Sequence, residues 1–498
     1  MSEVAAAVFA GTADRKKAGL GILAIALTLG AAGWNIQSWP GKLRYPGEHT
    51  DIEGMRLVEM VHLRQGIPIY AGPAAKRFDA SIYGPLYYLF GSRIVDPAQP
   101  AFFPLRLVSV LATLGCAAGC GLLTYRLGRS WLAVVLAPLL FLSYGFVVRL
   151  GASARADSLA VLMALGGFLV AYKFRHSRAI FLSVPLMLAA FFYKQQYVAG
   201  PVAVALWLLL QRRVRDAAQF IALMSATVVA LVGVFQFVVF RGQDFLLHFF
   251  LYNVVPLSWL HFTHAGLLFF GLVLLIPTLM GLEFLRVHRN SLLGCYLGCS
   301  GVLGLLGTAK AGSDAHYWFE FVLVLCVVVA ALVGERIEAG NRPAEVIVLL
   351  VISSLVAHFF VPPGPRQKDL ARDQRIQEFL RRRFRPGTPV LTRYAGDVVR
   401  AGLDLPISDL DQYLYLVQIR KFALSEEEAR LQAQRYPAVV LNFDITVSNN
   451  PKISVSGFPE SWASVILQKY EEVGSLDMPE VEKVFDDDRF HVWVPRSH

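Results

Sequence analysis

Charged side chains are scarce in this chain. Asp, Glu, Lys and Arg make up 17% of its 498 residues, against about 25% in an ordinary soluble domain. That shortage excludes a wholly soluble enzyme, a disordered chain and a nucleic-acid-binding module. Cysteine is scarce too. Cys116, Cys120, Cys295, Cys299 and Cys326 all lie inside apolar runs, where they read as small core residues and not as a disulfide framework or a metal set. None follows residue 361, so an oxidising compartment leaves no mark there. No glycine-rich phosphate loop joins a strand to a helix, which argues against a nucleotide-driven pump. Internal repeats and low-complexity stretches are absent as well.

Apolar sequence is abundant. Hydrophobic residues make up 55% of the chain, and the mean hydropathy is +0.49. Apolar runs fall at 18–38, 102–125, 131–148, 156–172, 179–192, 197–210, 217–240, 264–285, 291–309, 317–334 and 344–361. At roughly 20 residues per membrane crossing, they predict a polytopic α-helical membrane protein of about 11 transmembrane helices. The runs at 179–192 and 197–210 are short and would tilt or stop before the interface. Arg15, Lys16 and Lys17 precede the first run. That run is longer than the roughly 7–15-residue core of a cleaved signal, so it reads as a retained anchor.

The net charge is +10, and its distribution predicts an orientation. With the N-terminus cytoplasmic, fifteen Lys and Arg fall in inner segments and five in the short outer loops, as the positive-inside rule requires. The outer segment at 39–101 is itself basic, which suits an anionic ligand. Within it, 51–65 reads as a short amphipathic helix with Met55, Val58, Val61 and His62 on one side, ended by Gly66 and Pro68. Residues 81–95 are aromatic and too short to span, and read as an interfacial helix.

After residue 361 the composition changes. Pro362, Pro363, Gly364 and Pro365 mark a boundary. Residues 366–385 read as a basic helix, and 389–393, 438–443 and 489–495 as strands. Ser425 and Glu428 form the pattern of a capping box for a helix to about 435. The expected organisation is a membrane unit over 1–361 and a small extracytoplasmic α/β domain over 362–498.

Polar residues cluster at the outer ends of the spans, where they are costly unless solvated or paired. They are Glu48, Asp51 and Glu53; Arg149, Arg155, Asp157 and Ser158; Lys194, Gln195 and Gln196; Arg241, Asp244, His248, His261 and His264; and Lys310, Asp314, His316, Tyr317 and Glu320. Folding could gather them into one outward cavity with carboxylates for base chemistry and cations for a phosphate. The three histidines with Asp244 match no compact zinc pattern. Asp409-Leu-Asp411 and Asp486 to Asp488 look like acidic metal motifs, but read as solvated surface away from the first-loop acids.

Five features, in order, resemble the GT-C glycosyltransferases, in the branch of protein O-mannosyltransferases and the lipid A aminoarabinose transferase. They are Asp51-Ile-Glu53-Gly after the first span, Gly66-Ile-Pro68-Ile-Tyr70, Tyr83-Gly84-Pro85-Leu86-Tyr87-Tyr88, Arg155-Ala-Asp157 opening a span, and Lys310-Ala-Gly312-Ser313-Asp314-Ala-His316-Tyr317 leading to Glu320. The resemblance covers about 1–361. It implies an integral-membrane transferase that moves a monosaccharide, with inversion, from a polyprenyl-phosphate donor to a glycan, lipid or protein acceptor of the cell envelope.

The family's adjacent acids are spaced here as Asp51-Ile-Glu53. Counting back from Gly66 favours Asp51 as the general base, whereas aligning Arg56 and Glu59 favours Glu53. Helix capping is the alternative for Asp51. Asp157 matches the second acidic position, and pairing with Arg155 or Arg149 is its alternative. Lys194, Lys76, Arg77 and Arg155 are the candidates for the donor phosphate. Gln195, Lys310, His316, Tyr317, Glu320 and Tyr83 are expected to line the cavity. No cofactor is called for. A divalent cation is left open, without a convincing ligand set. A lipid or sugar transporter or flippase, and an inactive sugar-binding relative, are the competing readings. The implied location is a cytoplasmic membrane with the C-terminal domain periplasmic.

Overall fold

The computed structural model describes residues 2–71, 77–79, 81–339, 365–419, 423–446, 458–479 and 489–497, without the side chains of 2–18 and Asp51. It is mostly helical. Ten of the eleven apolar runs are helices, and the eleventh, 344–361, lies outside the described residues. Among the described residues five helices are long and apolar enough to cross a membrane, and six if a bent pair counts as one. Ala199–Leu210 and Leu292–Gly307 are shorter apolar helices, as is the segment Arg178–Tyr193. The four buried cysteines and the half-buried Cys299 are all free.

The bent pair shows how the fold aims residues at one end. Trp131–Ser143 and Gly145–Gly151 meet at 74°. Such a break strips carbonyls of their helical partners, which is tolerable in an apolar setting only where other groups replace them. Asn35 Nδ2 donates to the Ser143 carbonyl at 2.6 Å, and Trp39 Nε1 donates to the Val148 carbonyl at 2.9 Å. The end of the first long helix thus caps the break. The chain then turns through 152–156 into Asp157–Lys173, which carries Asp157 at its first position.

The first loop folds as expected into Asp51–Arg64 and Pro85–Ile94. Met55, Val58, Val61 and His62 are all buried, but so are Glu53, Arg56 and Glu59. Glu53, Arg56 and Glu59 are therefore paired within the protein, and Arg64 near the end of the helix is exposed.

The C-terminal segment builds a four-stranded sheet of β1 (Val390–Thr392), β2 (Ala438–Leu441), β3 (Tyr470–Asp477) and β4 (Arg489–Pro495), in the order β1-β2-β4-β3. β1 and β2 are parallel, and the other pairings are antiparallel. β3 escaped the sequence reading. Its YEEVGSLD is polar and only its first residue is buried, as suits an edge strand. The capping box at Ser425 is corrected. The helix is Leu424–Gln432, with Ala423 at its N-cap and no side-chain cap, so Ser425 lies inside its first turn.

Candidate functional site

One cavity of about 820 Å³ lies where the helix ends, the first loop and the C-terminal segment meet. Its lining includes nine of the residues expected there from the sequence: Tyr83, Arg155, Lys194, Gln195, Gln196, Lys310, His316, Tyr317 and Glu320. Phe249, Phe250, Leu303 and Leu306 form an apolar part of the wall. Phe250 is 44% and Leu306 64% exposed, so this wall continues onto the outer apolar surface.

Local structure explains the placement. Lys194 ends the Val184–Tyr193 helix. Gly84 lies against that helix end, and a Cβ there would stand 1.9 Å from the Phe192 carbonyl. Only a glycine permits this approach, and it brings the Tyr83 ring over the Lys194 Nζ at 4.9 Å. Gln195 Nε2 donates to the Ile82 carbonyl at 3.0 Å, fixing the same junction. Lys310 is held by an isolated antiparallel bridge to Leu257, with Ser258 N donating to Ala309 O and Ala311 N to Pro256 O.

Asp157 lies beneath this wall, fully buried. Its Oδ1 accepts from Lys194 Nζ at 2.7 Å and from Tyr197 Oη at 2.8 Å, and its Oδ2 from Arg155 Nε at 3.2 Å. Arg155 Nη2 stands 3.3 Å from His316 Nδ1. One carboxylate thus holds two cations at the cavity edge. Lys310 has no ion pair among the described residues; burial, and then the charge of Lys194, lowers its pKa. Glu320 accepts from Tyr296 Oη at 2.7 Å.

The first-loop acids part company. Asp51 opens its helix one position before cavity-lining Ile52, while its side chain lies outside the described residues. Glu53, expected as an alternative base, does not line the cavity. It accepts two bonds from Arg106 at 3.1 and 2.6 Å, one from the His49 amide at 2.6 Å and one from the Ala154 amide at 2.5 Å. Burial works to raise its pKa, but Arg106 and then His49 outweigh it and hold the carboxyl at about 2. A carboxylate so committed is a poor base and a good strut. Arg77, expected as a phosphate ligand, does not line the cavity either. Its guanidinium pairs with Asp404 at 2.8 Å and donates to the Leu405 carbonyl at 3.2 Å, away from the cavity. Lys76 lies outside the described residues.

Other cavity residues were passed over in the sequence. Asp409 and Asp411 are not solvated surface. Both line the cavity, with Asp409 paired to Arg56 at 2.7 Å and Asp411 to Arg393 at 2.9 Å. Arg56, Gln412 and Tyr415 line it as well. Only long-range folding brings 409–415 here, so no local signal marked them. Tyr197, three residues after Lys194, could have been suspected from that spacing. Among the described residues no group of His, Cys, Asp and Glu is arranged to hold a metal. The run Asp486 to Asp488 lies outside them.

No family model matches the chain, and neither does any curated protein. Solved structures do. ArnT from Cupriavidus metallidurans bound to undecaprenyl phosphate superposes with a TM-score of 0.53 at 13% identity, over 95% of this chain and 98% of that one. The chain has the GT-C fold. A second GT-C structure is the oligosaccharyltransferase AglB from Archaeoglobus fulgidus, in complex with an inhibitory peptide and a dolichol-phosphate. It gives 0.51 at 12% identity, over 97% of this chain and 76% of that one. The GT-C likeness spans the C-terminal segment as well as the membrane helices, beyond the 1–361 that the motifs cover. With that fold go five described helices long and apolar enough to cross a membrane.

Proposed function

We propose that the chain is an inverting membrane glycosyltransferase that moves a monosaccharide from a polyprenyl-phosphate donor to an envelope acceptor. The observation that carries this is the charge of the cavity. Arg155, Lys194 and Lys310 meet at one part of its wall, where among the described residues Asp157 is the carboxylate paired to the first two. That local excess of positive charge, on the wall away from Asp409 and Asp411, calls for an anion, and a leaving phosphate supplies one at the moment its charge develops. The apolar, partly exposed wall at Phe250 and Leu306 suits a prenyl chain entering from the membrane. The polyprenyl phosphates in the ArnT and AglB structures support the same reading.

In this scheme Lys194, Arg155 and Lys310 stabilise the phosphate. Asp157 fixes the first two and is too heavily paired to take a proton. Asp51, at the start of a helix whose next residue lines the cavity, is the general base on the acceptor hydroxyl. Attack on the anomeric carbon then breaks its bond to the phosphate oxygen with inversion. Residues 1–361 form the membrane unit and 362–498 the outer domain, with the N-terminus cytoplasmic. In a bacterium the cavity would face the periplasm.

The test is native mass spectrometry of the gently purified protein. A bound polyprenyl phosphate or its monosaccharide derivative is expected, retained about tenfold less by Lys194→Ala. Phospholipid alone, even after synthetic polyprenyl-phosphate sugars are added, would overturn the reading.

A further inference from the structure

Arg56 is a fourth cation on the wall of the same cavity. Its Cζ lies 4.8 Å from the Tyr83 ring, the ring that also carries Lys194 Nζ at 4.9 Å. Arg56 and the ammonium assigned above to the phosphate thus share one aromatic ring on one cavity wall. A guanidinium matches phosphate better than an ammonium does. Left unbalanced, Arg56 would compete for the lipid phosphate and draw it away from Lys194.

Two carboxylates balance it. Glu59, one turn along the same helix, receives Arg56 Nη1 at 2.6 and 2.8 Å. Asp409, 353 positions downstream, receives Nη2 at 2.7 Å. Burial drives Glu59 up to about 8 against the pull of Arg56, so near neutrality it keeps much of its proton. Asp409 is then the main countercharge.

Its place does not depend on Arg56 alone. Asp409 Oδ1 accepts from the Gln412 amide at 2.8 Å and caps Leu410–Gln418. Just before it, Phe78 N donates to Pro406 O at 2.7 Å, and Ser408 N to Phe78 O at 3.1 Å. Just after it, Gln412 Nε2 donates to Tyr252 O at 2.6 Å. The C-terminal segment thus presents one fixed carboxylate to Arg56.

We propose that Asp409 is a positioning residue of the cavity: it anchors Arg56 and confines phosphate binding to Lys194, Arg155 and Lys310. The proposal rests on the transferase reading. Its test compares binding of undecaprenyl phosphate and of undecaprenol to the full-length protein in nanodiscs. The variants are Asp409→Asn, which keeps an oxygen for the Gln412 amide, and the double variant Arg56→Gln/Asp409→Asn.

Releasing one charge within about 10 Å of the Lys194 ammonium should tighten undecaprenyl phosphate binding about tenfold in Asp409→Asn, with undecaprenol unaffected. The double variant should return to within about twofold of wild type, because the competing cation is gone. A general structural role would instead weaken both ligands in both variants. Weaker or unchanged phosphate binding in Asp409→Asn, or tightening that survives in the double variant, overturns the proposal and leaves the transferase reading standing. Should Asp409→Asn fail to fold, the double variant, which removes both charges of the Arg56–Asp409 pair, decides: wild-type affinity supports the proposal and a large loss overturns it. If the wild type does not prefer the phosphate to the alcohol, the transferase reading itself falls and takes this proposal with it.

Discussion

Glu59 is buried against Arg56 and close enough to Asp79 and Asp409 to feel both charges. Its raised pKa has a consequence for stability. Between about pH 4.5, the ordinary value, and about 8, the folded protein keeps the Glu59 proton while the unfolded chain has lost it. The folded state binds more protons, so stability falls as pH rises through that window and levels off above it. Glu59→Gln keeps an oxygen for Arg56 and should lack this decline. Melting temperatures from pH 5 to 9 check it, and parallel profiles for the two proteins would refute the assignment. At this scale the sequence was informative about identity and poor about role. Eight cavity residues were named from their position at span ends. Glu53, next to Asp51, is separated from it in role by Arg106, a residue in a span that carried no signal of its own. Asp409 was misjudged because its partner Arg56 lies 353 positions away.

At the scale of elements, helices were legible and their contacts were not. Apolar runs give helices in water or lipid alike, so ten of them were found. What no run reveals is that Asp51–Arg64 crosses Ala395–Arg400 glycine to glycine. A Cβ on Gly54 would lie 2.2 Å from the Gly396 amide nitrogen and 2.0 Å from Glu48 Oε2. A Cβ on Gly396 would lie 2.7 Å from the same carboxylate oxygen and 2.9 Å from the Phe102 ring. Backbone cannot yield as a flexible side chain does, so an alanine at Gly54 must push the two helices apart, while one at Gly396 must displace the Glu48 carboxylate and the Phe102 ring. Gly54→Ala and Gly396→Ala should each cost about 1–3 kcal/mol or more and expose the C-terminal segment to protease. By contrast Gly19→Ala, which meets nothing within 4 Å, should be silent. Equal proteolysis of all three would show that the crossing is looser than described. The missed strand β3 has a related cause. Edge strands need only one paired side, so their sequences carry no apolar alternation to read.

For the whole molecule, the predicted count of about 11 spans exceeds the five or six that the described helices support by length. The shorter helices still run between the same two ends. Ala199–Leu210 begins beside cavity-lining Tyr197 and Val198, and Leu292–Gly307 finishes beside cavity-lining Lys310. At the opposite ends Gln211 Nε2 donates to the Asn290 carbonyl. The protein therefore has a cavity end and a far end, and the cations counted from the sequence predict a cytoplasmic far end. Single cysteines can decide this, because four of the five native thiols are buried. Gln99→Cys lies in the exposed turn before Phe103–Arg126, and Gln211→Cys in the exposed turn at the far end. In intact cells a membrane-impermeant maleimide should label Gln99→Cys and should reach Gln211→Cys only after permeabilisation. The reverse pattern would turn the cavity towards the cytoplasm. A sugar donor and an envelope acceptor could not then meet there, and the transferase reading would need an acceptor inside the cell. Labelling of both from outside would mean that the shorter helices do not carry the chain across, and that the ends which look opposed share one face of the membrane.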